Sequence, residues 1–266
     1  MRPYLFRTVI RIARVLKIYG NLKFPEILIK FLQKDSRKKL LDFYHELGIR
    51  EAEKHFIIQP ESEEYPFLEA FIFNIYKYYD YNNKIVIDVG AQTGDSVLYF
   101  FYHKAKMIYA FEPLKNNFRI LEKNVVQNKI NCILYNVGLG DSTKEIEVDI
   151  SDAMAIAKPL VTSSLEHEKI KIDKLDNFNI YADVIKIDVE GFEIEVIKGG
   201  LNTFKNAKAI IIETHSKNLQ VEVAKMLSGL GFHLNKIIKN YSSKNVRVEY
   251  WLSNTYFNEN IRSYHT

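Results

Sequence analysis

Asp88-Val-Gly90-Ala-Gln92-Thr-Gly94-Asp95 places two carboxylates around a pair of glycines. The apolar run Ile85–Ile87 precedes it and a helical pattern follows from Asp95, so the loop joins a strand to a helix. Glycines in such a loop let backbone approach a ligand closely, and the start of the helix offers unpaired N–H groups. The next strand pattern ends in Phe111-Glu112-Pro113, where a carboxylate can accept both hydroxyls of an adenosine ribose. A glycine loop by itself is equally an ordinary strand-to-helix turn. Here the spacing Gly90-x-x-x-Gly94 departs from the Gly-x-Gly-x-x-Gly of nicotinamide dinucleotide sites. Acids at 88 and 95 would repel a diphosphate but tolerate the sulfonium and ammonium of S-adenosyl-L-methionine, which becomes the expected cofactor.

Two further runs end in reactive side chains: Ile185-Lys186-Ile-Asp188-Val-Glu190-Gly191 and Ile211-Ile-Glu213-Thr-His215. Ends of parallel strands converge on one crevice, and a hydroxyl that receives a methyl group must lose its proton. Asp188, Glu190 and His215 are therefore the candidate catalytic bases. Each has a plainer alternative: Glu190 as a first-turn acid at a helix N-terminus, His215 as a structural histidine. Glu193 and Glu195 are assigned only to that helix, whose end is marked by Lys198-Gly199-Gly200. Lys186 lies inside a central strand and needs a buried carboxylate beside it: Asp88, Glu112, Asp188 or Glu213. The other histidines form no ligand spacing, and Asp188-Val-Glu190 lacks the adjacent Asp-Asn pair of catechol-type magnesium enzymes, so no metal is expected.

The elements that must hold these residues are legible as β-branched runs alternating with helical patterns. Strands are predicted at Ile85–Val89, Met107–Phe111, Asn131–Val137, Val184–Val189 and Ala209–Glu213. Helices are predicted at Asp95–His103, Leu114–Gln127, Phe192–Lys198 and Asn218–Leu230. That alternation specifies an α/β fold with a mostly parallel sheet covered on both faces. Phe232–Ile238 and Val246–Leu252 have no helix between them and must pair antiparallel. The stretch 143–173 carries two alternating runs, Glu145–Ile150 and Lys169–Asp173, around a Ser/Thr loop at Thr162–Ser164. Upstream, helical segments are expected at Arg2–Ile18, Pro25–Phe31, Lys38–Leu47 and Glu64–Tyr79, the last broken by Tyr78–Asn83.

Asp88-Val-Gly-Ala-x-x-Gly94-Asp95, Phe111-Glu112-Pro113, Asn136-Val-Gly-Leu-Gly-Asp141, Lys174-Leu-Asp176 and Ile185-Lys-Ile-Asp188-Val-Glu190-Gly191-Phe-Glu193 occur in this order. Together they resemble the FkbM-type family of S-adenosylmethionine-dependent methyltransferases, over roughly residues 80–215. The resemblance implies a Rossmann-like class I methyltransferase sheet of seven strands in the order 3-2-1-4-5-7-6, the seventh antiparallel. It implies that Asp88, Gly90, Gln92 and Gly94 surround the methionine portion of the cofactor and that Glu112 holds the ribose. Val137–Asp141, including Gly140 and Asp141, would border the adenine, and Asp188 would close the site. It further implies O-methylation of a hydroxyl on a carbohydrate, glycolipid or secondary metabolite.

Composition bounds the alternatives. With 47% hydrophobic and 26% charged residues, 11 Gly and 6 Pro, the chain is neither disordered nor collagen-like. Its one cysteine, Cys132, excludes an internal disulfide and suggests a reducing, cytoplasmic setting. Residues 1–40 hold eleven Lys/Arg against two acids, whereas the whole chain is only +4. An amphipathic helix there, with Arg7, Arg11 and Arg14 on one side, either docks on its own domain or contacts an anionic membrane surface. No motif or stacking platform accompanies the basic segment, so nucleic acid is not the expected partner. The expected organisation is an N-terminal helical segment (1–80), a cofactor-binding domain (81–255) and a tail (256–266). An NAD(P)-dependent oxidoreductase and a non-catalytic scaffold are the competing readings.

Overall fold

In the computed structural model the described residues are 47–150, 167–239 and 246–257. The expected segments Arg2–Ile18 and Pro25–Phe31, nearly all of Lys38–Leu47, the loop Thr162–Ser164 and most of the tail lie outside them.

The apolar runs form strands at β1 (Ile85–Val89), β2 (Met107–Phe111), β3 (Cys132–Tyr135), β4 (Gly138–Leu139), β5 (Lys144–Asp149), β6 (His167–Asp173), β7 (Val184–Ile187), β8 (Ala209–Thr214), β9 (Phe232–Lys239) and β10 (Arg247–Ser253). Seven of them make one sheet in the order β3-β2-β1-β7-β8-β10-β9. Leaving out the short β4, β5 and β6, that order is 3-2-1-4-5-7-6, as the resemblance implies. β10 runs antiparallel to both neighbours and the other pairings are parallel. β7 and β8 are buried along their whole length, which is why their sequences read as continuous runs of apolar residues broken only at Lys186, Glu213 and Thr214.

Alternation along these strands separates two cores. Val86, Ile108, Val184 and Ile211 face the helices α1 (Glu64–Phe67), α2 (Asp95–Tyr102) and α3 (Lys115–Gln127). Ile87, Ile185, Ile187 and Ile210 face α4 (Glu193–Gly199), α5 (Leu201–Asn206) and α6 (Lys217–Gly229). The Ser216 side chain caps α6 by accepting from Leu219 N at 3.2 Å. Asp176 caps α5, taking the Asn202 and Thr203 N–H groups at 3.1 and 2.9 Å, so this motif residue belongs to the scaffold.

One feature adds to the sequence-based expectation and one differs from it. The alternating runs around 145–150 and 169–173 are strands that pair with each other: β5 and β6 are antiparallel, and β4 adds in parallel to make a separate three-stranded sheet. Glu64–Tyr79 is not one helix. A single α-turn, α1, passes into a π-helical turn at Leu68–Ile72, and Asn74 then takes a left-handed conformation (φ 51°) that ends it. Burial explains the break: Tyr99 on α2 donates its hydroxyl to the Asn74 side chain, and Tyr81 donates to Tyr76 O at 2.5 Å. The aromatic residues predicted as one helix face are buried instead by a folded-back chain, with Phe67, Tyr76, Tyr79 and Tyr81 inside the first core.

Candidate functional site

The parallel pairing of β1 with β7 sets Asp88 directly opposite Lys186. Register therefore brings the two charges to the same face. Lys186 Nζ lies 3.2 Å from Asp88 Oδ1 and 3.9 Å from Asp188 Oδ2, and it donates to Gly90 O at 2.7 Å. Both partners are buried, at 3% exposure for Lys186 and 0% for Asp88. Burial alone would lower the lysine's pKa, but Asp88, Asp188 and Asp95 outweigh it and the group stays charged. Ser96, at the start of α2, donates to the other Asp88 oxygen at 2.5 Å.

At the carboxyl ends of these strands lies a cavity of about 350 Å³. Gly90, Gln92, Glu112 and Asp188 line it, with Val137, Gly138 and Leu139 beyond Glu112. Gly90 has φ 79°, and a Cβ there would stand 1.8 Å from Asp188 O, so only glycine lets the β1 and β7 loops meet. Glu112 takes the Gln92 N–H on Oε2 at 2.9 Å and the Leu114 N–H on Oε1 at 3.0 Å. Burial nevertheless pushes its carboxyl up to about 7 against those hydrogen bonds. Asp95 is likewise pushed up to about 7 by burial, with Lys186 opposing the rise and Asp88 and Asp188 adding to it. This half of the cavity thus offers acceptors and negative charge, and a cation or a hydroxyl donor would relieve it.

The other expected cofactor residues stand back from the wall. Asp88 lies beneath the loop, tied to Lys186 and Ser96, and Gly94 (φ 102°) packs on Leu121. Gly140 packs on Ile172, while Asp141 bonds Ser142 and Lys144 at the surface. Asn136 braces the strand end by donating to Glu112 O and Pro113 O at 2.9 and 3.0 Å.

Asp188, Glu190 and His215 also line the cavity and come together there. His215 Nε2 is 3.2 Å from Glu190 Oε2 and 3.8 Å from Asp188 Oδ1. The three present atoms of metal-ligand type within 4.8 Å of one another. Glu190 adopts φ 51° and Gly191 φ 112°, a left-handed pair that turns the chain between β7 and α4. Burial would lower the His215 pKa, but hydrogen bonds to Glu190 and Glu193 and the charge of Asp188 carry it up to about 11.

Sequence reasoning missed three contributors. Glu193, assigned only to its helix, is fully buried and its Oε1 lies 2.7 Å from His215 Nδ1. Glu63 accepts from Gln92 Nε2 at 2.8 Å. Glu69, on the π-helical turn, lines the cavity, and burial, then Glu213 and Asp188, raise its pKa well above the ordinary range. The only signal for the last two was an acid within an aromatic-rich run. Among the described residues no helix is long and apolar enough to cross a membrane.

Comparison with known proteins sets this geometry in a family. The chain is 30% identical over 125 residues to the hexuronic acid methyltransferase AglP of Haloferax volcanii, covering 46% of this chain. It spans about half the length of that relative, 52%. Crystal structures that resemble it include the ribosomal protein L11 methylase of Lactobacillus delbrueckii subsp. bulgaricus, at TM-score 0.48 and 11% identity, covering 74% of this chain and 84% of that one. Another is the fibrillarin pre-rRNA processing protein of Methanococcus jannaschii, at TM-score 0.44 and 15% identity, covering 66% and 70%. Neither likeness bears on the acceptor. The family model described as the methyltransferase FkbM domain matches residues 88–234, from the first buried carboxylate to the start of β9, and the chain belongs to that family.

Proposed function

We propose that this chain is an S-adenosylmethionine-dependent methyltransferase acting on a hydroxyl of a carbohydrate, glycolipid or related small molecule. The observation that carries the reading is one cavity lined by the glycine loop and by two groups of polar side chains. Gly90, Gln92, Asp95 and Glu112 line it together with Asp188, Glu190 and His215. The Haloferax volcanii relative, a methyltransferase of hexuronic acid, supports a carbohydrate acceptor.

When bound, the cofactor supplies an electrophilic methyl group on a sulfonium. Gly90, Gln92, Glu112 and Asp188 are the residues that would hold it, with Val137–Leu139 as the apolar border. Each Glu112 oxygen receives one backbone N–H and keeps acceptor capacity for a hydroxyl. Asp88 and Gly94 shape the loop from beneath. Methyl transfer to oxygen neutralises charge, so alignment and exclusion of water supply most of the acceleration. The acceptor's proton passes to one of Asp188, Glu190 and His215.

Titration calorimetry with S-adenosylmethionine and with NADH tests the cofactor; binding of NADH alone overturns the reading. Mass spectrometry of glycans and lipids from a deletion strain tests the acceptor, with loss of one methyl group expected. Methyl transfer to RNA and to no glycan or lipid would replace the acceptor assigned here.

A further inference from the structure

Both ring nitrogens of His215 face carboxylates. Nδ1 lies 2.7 Å from Glu193 Oε1, and Nε2 lies 3.2 Å from Glu190 Oε2. A neutral imidazole carries one N–H and one lone pair, and a lone pair aimed at a carboxylate oxygen at these distances is repulsive. With Glu190 and Glu193 ionised, the geometry fits a ring with hydrogen on both nitrogens. Glu193 strengthens the case because it has no exposure: its Oε1 also takes the Gly191 N–H at 3.1 Å, and its Oε2 is buried without a hydrogen-bond partner. A buried carboxylate in that state needs a cation beside it, and His215 is the one it touches.

Resting on the function proposed above, we infer that Glu193 is a positioning residue that locks His215 as an imidazolium, leaving Asp188 or Glu190, not the imidazole, to receive the acceptor's proton. As the acceptor O–C bond forms and the S–C bond breaks, the hydroxyl proton moves to the carboxylate and His215 keeps both of its own. The groups around the ring agree. Asp188 and Glu190 follow β7, Glu193 begins α4, and Glu213 lies two residues before His215 on β8, so the charges facing the ring are acidic. Lys186 is engaged by Asp88 and Gly90, and Arg247, opposite Thr214 on β10, is engaged by Glu249. The upward displacement of the His215 pKa to about 11 is consistent with this wiring.

Two readouts separate the roles. Imidazole NMR of the wild-type protein should show His215 charged through about pH 9, and E193Q should bring its midpoint down toward about pH 7–8. E193Q should stay near wild type at about pH 6 and fall about tenfold by pH 8.5 as the imidazolium is lost, with E193D recovering part of the difference. Calorimetric cofactor affinity checks that each variant is folded. A wild-type His215 that titrates near 6.5, with a rate rising through that midpoint, makes the imidazole the base and overturns the inference. So does an unchanged midpoint in E193Q, or stoichiometric Mn²⁺ binding at this cluster seen by EPR. Should no acceptor be turned over at all, the NMR titration still decides the protonation of His215, so the two readings fail separately.

Discussion

Replacing Lys186 by methionine keeps the volume of the side chain and removes its charge. Asp88 would keep Ser96 but lose its cation at 0% exposure, and Gly90 O would lose a 2.7 Å donor. Breaking a buried pair from one side costs about 3–5 kcal/mol, because the remaining charge has no partner. K186M should therefore unfold at a lower urea concentration than wild type. Urea unfolding followed through Trp251, the single tryptophan and a buried one on β10, measures the difference. D88N combined with K186M should recover roughly half of the loss, since neither charge is then stranded. A cost for K186M below about 1 kcal/mol, or a double variant as unstable as the two singles added, would refute the assignment of this pair as the electrostatic centre of the sheet.

Other outcomes follow from the same geometry. Burial pushes Asp95 up to about 7, so its own contribution to stability is lost as pH rises from the ordinary carboxylate range toward that value, and D95N should remove that part of the slope in a melting series. E112Q should weaken S-adenosylmethionine binding by about 10- to 100-fold in calorimetry, the size expected for a lost charged hydrogen bond; an unchanged affinity removes Glu112 from the site. Gly90→Ala should not give a stably folded protein, because its Cβ would stand 1.8 Å from a backbone oxygen and its φ of 79° is strained for any other residue. Circular dichroism melts check it, and a variant within about 2 °C of wild type would show that the loops can part.

The sheet was legible because its central strands are buried on both faces and so read as unbroken apolar runs. β1 and β2 occur at the bounds their sequences suggest, and the antiparallel last pair follows from the lack of a crossover helix. Lys186 announced a buried partner by its position in a strand, and register supplied Asp88. Glu193 was not legible, since a first-turn glutamate at a helix N-terminus looks the same whether it serves the helix or a distant histidine. The break at Phe73–Asn74 was hidden for a related reason. Helical spacing of aromatic residues records that they are buried, but not that Tyr99 and Tyr81 meet them from another part of the chain. The pairing of β4 with β6 joins segments far apart in sequence, where alternation alone names no partner.

Glu63, Tyr65, Pro66, Glu69 and Tyr76 line the cavity and precede the stretch shared with the family. Their segment is tied to α3 and the residue after it, through Asn124 to Ser62 and Gln59 and through Asn128 to Ile57, and it is packed into the first core by Phe67, Tyr76, Tyr79 and Tyr81. Part of the cavity wall is thus supplied by chain that lies outside the family stretch yet shares the interior of the sheet. Transplanting that wall onto a relative would have to carry its aromatic packing along.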